Sequence, residues 1–269
     1  MTTRQTRRGE SARRPRRRCS PFRPTSGRIG QVAVIVGAVA AWEIATRAGL
    51  VSPQMLPPAS QVVARAWTLL VSGRLLPDLW ASLWRVLVGF GAAALVALPL
   101  GVAMGLHADL ARLLNPILSA LRPLSPPAWI PLAILWFGIG DAPALFIIFV
   151  GTLFALLVGT MDATRALDEE LLNAARTLGA TQGQIVRYVV IPLLTPALLT
   201  QARVGLGLAW MCVIAAEMVA VRRGLGFMMI EARNLFRTAD VLAGMAVIAA
   251  VGIATDRGLA ALEARVVPW

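Results

Sequence analysis

The sequence predicts an all-α, polytopic membrane protein with about six transmembrane helices, and three observations carry that expectation. Of 269 residues, 57% are hydrophobic and only 15% are charged, and the mean hydropathy of +0.70 lies outside the soluble range. Uncharged runs at 86–106, 123–140 and 142–161 each approach the roughly 20 residues that a helix needs to cross hydrocarbon. Three further apolar stretches complete the set: 29–46 contains Glu43, 204–221 contains Glu217, and 241–255 is flanked by Asp240 and Asp256.

The chain opens on an Arg-rich tail, residues 1–28, in which ten arginines stand against Glu10 and supply +9 of the net +12. The tail has too few apolar residues to bury a core, so it is expected to be disordered and drawn to anionic lipid rather than to nucleic acid. Basic residues followed by an apolar run and Ala38-Val39-Ala40 trace the outline of a signal peptide, but a retained first helix is the reading adopted. Positive charge before that helix favours a cytoplasmic start, and six crossings then return the C-terminus to the cytoplasm. Arg222, Arg223, Arg233 and Arg237 fall on the outer side, against the charge rule, and are expected to be held in protein.

Residues 49–79 form the longest outer connection, with Pro53, Pro57, Pro58 and Pro77 marking turns around an amphipathic helix over 60–71 that lies along the membrane surface. Residues 107–123, with Arg112, Arg122 and Pro116, read as a cytoplasmic link in which His107 is solvated. The third span is interrupted by Pro126, Pro127 and Pro131 and closes on Gly138 and Gly140. A broken helix in a bilayer needs neighbours or a water-filled path for its freed backbone groups, so this span is either a pathway wall or a kinked helix packed in the bundle.

The most informative segment is polar and lies between two apolar spans. Asp168 suits the N-cap of a short helix, Glu169 and Glu170 suit its first turn, and Gly179 ends it. Thr181 and Gln184 have capping-box spacing for a second helix that stops before Pro192. Leu171, Ala174, Ala175 and Leu178 share one face, where adjacent alanines let another surface approach closely. Arg165, Arg176 and Arg187 place this loop in the cytoplasm. A membrane protein that offers such a loop is expected to be driven by something docking there.

Much chemistry is excluded. The sequence contains no lysine, so a Walker A loop cannot exist. One histidine, His107, and two distant cysteines, Cys19 and Cys212, offer no metal-ligand spacing and no disulfide framework. The glycine pairs at Gly205/Gly207 and Gly224/Gly226 follow no strand and read as turns or close helix contacts. No catalytic set emerges, and no cofactor is expected in this chain. Arg203 and Glu217 are intramembrane charges and therefore candidate pathway residues. Fourteen residues hold them about 21 Å apart along a helix, so they do not pair with each other; Glu217 either bridges helices or snorkels.

Asn173-Ala174-Ala175, then Gly179 after three intervening residues, then Val189, Ile191 and Pro192 resemble the EAA motif of binding-protein-dependent ABC transporter permeases. The resemblance runs from about residue 56 to the C-terminus and includes Leu56-Pro57-Pro58-Ala59-Ser60, Ser82-Leu83-Trp84-Arg85, the stretch 130–140 and Gly151-Thr152-Leu153-Phe154. It is similar to the nitrate, sulfonate and taurine branch, and Trp67-Thr68-Leu69, Ser72-Gly73, Ala232-Arg233 and Thr238 are most similar to aliphatic-sulfonate permeases. Two departures stand out: Asn173 replaces the usual Glu, and Ala155 stands where the branch tends to have proline.

The resemblance implies a type I ABC importer permease fold over residues 29–269, with 162–192 as the coupling loop in a groove of a cytoplasmic ATPase. Two identical permease chains, two ATPases that bind the ATP and an extracytoplasmic binding protein would form the importer, carrying a small anion across the cell membrane. A self-sufficient secondary transporter would need coupling carboxylates, for which only Glu43 and Glu217 could serve. A membrane enzyme would need a nucleophile, base or metal set that cannot be assembled.

Overall fold

A computed structural model describes residues 27–266, and every regular element among them is helical. The tail assigned to residues 1–28 lies outside the described residues apart from Gly27 and Arg28, which begin α1 (Gly27–Arg47). Four helices among the described residues are long and apolar enough to cross a membrane: α3 (Leu75–Leu106), α6 (Asp141–Arg165), the continuous helical run Gln182–Ala220, and α11 (Thr238–Val266). α1 adds 21 residues and presents Val34, Ile35, Val36 and Val39 outward.

The core of the bundle is α3 packed along α6, and small residues explain why. Gly89, Ala93, Ala97, Gly101 and Gly105 recur every four residues down one face of α3. A Cβ on Gly101 would lie 2.7 Å from Thr160 Cβ and 2.9 Å from the Leu157 carbonyl oxygen, so the two backbones touch as closely as they do only because the side chain is missing. α9 (Ile191–Ala220) closes the other side of α6 in the same way, with Gly205 set against Leu156 and Phe90.

Three expected boundaries shift. The second span begins at Leu75, eleven residues before the uncharged run, because Pro77 sits in the first turn of a helix, where a missing N–H costs nothing, rather than in a loop. The link at 107–123 is mostly the amphipathic helix α4 (Ala108–Leu121), which buries Ala111. The third span is only a 3₁₀ turn, Pro126–Trp129, followed by α5 (Ile130–Phe137). Twelve residues reach about 18 Å, too short to span alone. The outer amphipathic helix is present as α2 (Ala59–Val71), held against the start of α11 by a two-pronged pair between Arg65 and Asp240 at 2.7 and 2.9 Å. That carboxylate raises the Arg65 pKa above its ordinary value.

The helix after the loop does not stop before Pro192. α8 (Gln182–Ile185) widens into a π turn, Val186–Val190, and continues straight into α9. Pro192 cannot donate to the Tyr188 carbonyl and would crowd it in a regular helix; the wider turn removes the conflict.

Candidate functional site

The polar loop folds as its residues dictate. Asp168 Oδ1 accepts the Glu170 N–H at 2.9 Å and starts α7 (Glu169–Thr177). Gly179 ends it at φ +83°, where its N–H reaches the Arg176 carbonyl and the Ala180 N–H reaches that of Ala175. Thr181 and Gln184 close a reciprocal capping box. Leu172, Ala175 and Ala180 turn half inward onto Ile185, Val190 and Leu194 and onto the ends of α3 and α6. Leu171 and Leu178 are left 49% and 87% exposed, with Ala174 between them. Asn173 is exposed and its side-chain oxygen accepts from Arg176 at 2.9 Å. Val189 is half-buried within the π turn, while Ile191 and Pro192 stay exposed at the start of α9. A capped and rigid helix therefore presents apolar side chains at one end of the bundle without using them to build its own core.

At the opposite end lies a buried charge cluster. Glu217 is fully buried near the end of α9, and it bridges helices rather than snorkelling. It accepts from Arg85 Nη1 at 2.7 Å, Ser82 Oγ at 2.9 Å and the Gly226 N–H at 2.9 Å. Ser82 in turn accepts the Leu225 N–H, and Asp78 accepts that of Gly224, so three side chains receive the leading N–H groups of α10 (Leu225–Asn234). Gly224 and Gly226 are required here: a Cβ on Gly224 would lie 2.5 Å from the Glu217 carboxylate. Arg85 also reaches Asp141 at the start of α6 (2.6 Å) and the Arg223 carbonyl (2.7 Å). Losing either buried partner would strand a charge, at a cost of about 3–5 kcal/mol.

Arg203 lies nearer the loop end and pairs with Asp256 of α11 at 2.9 and 3.0 Å. It brings α9 and α11 together and does not meet Glu217. Arg222, Arg223, Arg233 and Arg237 are exposed rather than enclosed; at Arg223 it is the backbone carbonyl, not the guanidinium, that reaches α3. Sequence reasoning missed Arg85, Asp78 and Asp141 as a group. Their charged types within or beside apolar spans were the available signal.

Residues 97–268 match the family of binding-protein-dependent transport system inner membrane components. The chain belongs to this family. The permease is 36% identical over 246 residues to the Escherichia coli taurine transport system permease protein, covering 90% of this chain and 88% of the relative. It is 34% identical over 234 residues to the putative aliphatic sulfonates transport permease of Escherichia coli, covering 87% and 89%. The Synechocystis nitrate import permease is 32% identical over 191 residues, covering 71% and 70%. A solved inward-facing form of the MetNI methionine ABC transporter superposes with TM-score 0.55 at 22% identity, covering 68% of the permease and 94% of that chain. The fold is that of an ABC importer permease, and the family match spans the capped loop.

Proposed function

We propose that this permease forms the translocation path of an ATP-driven importer for a small oxyanion, with an aliphatic sulfonate as the solute. The observation that carries the coupling part is the face of α7: Leu171 and Leu178 are exposed on a helix capped at both ends and joined rigidly to α9. Such a face suits a groove on a cytoplasmic ATPase, and its displacement is passed through the π turn to the spanning helix. The loop end is then cytoplasmic, together with both chain termini, and the Glu217 end is outer. Two identical permease chains bind two ATPases, which supply the ATP chemistry, and an extracytoplasmic binding protein delivers the anion. Relatives that handle taurine, aliphatic sulfonates and nitrate support the solute class. Asn173, where the motif usually has Glu, contributes a hydrogen bond rather than an ion pair to the ATPase.

Co-purification with the ATPase in mild detergent tests the docking face. Leu171→Asp with Leu178→Asp places two charges on an already exposed surface, so the permease is expected to insert and fold while losing the ATPase. Retention of the ATPase by the double variant would refute this face as the coupling surface.

A further inference from the structure

We propose that Arg85 and Asp141 are the latch of the outer mouth: opening toward the outside parts Asp141 from Arg85, while Arg85 stays seated on Glu217. The proposal rests on the importer reading above. Arg85 is 4% exposed and gathers Asp141 of α6, Glu217 of α9 and the Arg223 carbonyl onto α3, so one guanidinium holds the outer ends of three spanning helices together.

The two carboxylates differ in what separation does to them. The Glu217 side chain is 0% exposed, and parting it from Arg85 would leave both charges out of reach of water. The Asp141 side chain is 64% exposed; on release it is hydrated at once, and Arg85 remains neutralised by Glu217. The contact that opens at little cost is therefore the one to Asp141, and the one to Glu217 acts as the pivot.

The backbone beside Asp141 is arranged to move. Gly138 and Gly140 stand at φ +75° and +153° on either side of Ile139, and a Cβ at either glycine would meet nothing within 4 Å. These are open positions where the backbone turns without steric restraint. The turn is tied to α9 by the Gly140 N–H on the Ala220 carbonyl, at 2.9 Å, and to α3 by Asp141 on Arg85. Downstream, Pro143 is buried in the first turn of α6 and anchors that helix, so the change falls on the turn at 138–140 and on the Asp141 side chain. Trp136, Phe137 and Ile139 are half or more exposed beside this turn, where they form the apolar lip of the mouth.

The test uses the permease–ATPase complex in proteoliposomes, with and without alkanesulfonate-loaded binding protein. Asp141→Asn keeps the size of the side chain and removes its charge. It is expected to assemble with an unchanged thermal midpoint, to raise ATP hydrolysis without binding protein about fivefold, and to lower the stimulation ratio correspondingly. Glu217→Gln is expected to give little assembled complex, because its Arg85 loses the pivot. An Asp141→Asn complex with the wild-type stimulation ratio would overturn the latch, as would one that fails to assemble in the manner of Glu217→Gln. A wild-type complex that no binding protein stimulates would instead overturn the importer reading itself.

Discussion

Gly179 shows how much one residue can determine. Its φ of +83° lies where a β-branched side chain collides with its own backbone, and it sets the angle between α7 and α8. Gly179→Val is expected to lower uptake about tenfold or more while leaving insertion intact, with Gly179→Ala intermediate, as measured by solute accumulation in whole cells. Wild-type uptake by the valine variant would show that the turn is not needed for coupling. The conformation was legible in the sequence because a helix end followed by glycine and a capping box is a local pattern. Glu217 was legible only as an anomaly. Its partners, Ser82 and Arg85, are 135 and 132 residues away, and no local periodicity encodes such a pairing.

At the scale of elements, the α3–α6 contact is the structural spine. Gly101→Leu would drive a side chain into Thr160 and the Leu157 carbonyl, and is expected to cost about 1–3 kcal/mol and to lower the thermal midpoint in detergent. Gly91→Leu on the same helix is the control: a Cβ there meets nothing within 4 Å, so the midpoint should hold or rise. Equal losses from both would mean that helix propensity, not the glycine face, governs. The elements misjudged from sequence share a cause. Proline signals a break in a local reading, yet Pro77 fits a first turn and Pro192 is accommodated by a π turn, since each cost depends on which carbonyl lies one turn earlier. The third crossing differs in form rather than in place. Its apolar run is long enough, but Pro126, Pro127 and Pro131 with Gly138 leave only twelve residues in helical form.

For the molecule as a whole, the two ends of the bundle are built differently: a capped helix with an exposed apolar face at one and a buried charge cluster at the other, joined by α3, α6 and α9. The solute is read at this scale, because no side-chain cluster in the described residues forms a selective anion pocket. With its ATPase and binding protein, the permease is expected to accumulate a labelled alkanesulfonate, with excess unlabelled alkanesulfonate competing while nitrate does not. Competition by nitrate alone would move the solute to the nitrate class. The sequence by itself determined the membrane class, the loop with its caps and the lack of a Walker A lysine, since composition, charge placement and capping act over a few neighbouring residues. Only the tertiary structure decided that Arg203 belongs to Asp256, that Glu217 is held by Arg85, and that an exposed Asp141 completes the cluster. Those pairings depend on which faces of distant helices meet, and the small residues that bring the faces together become meaningful only once the helices are packed.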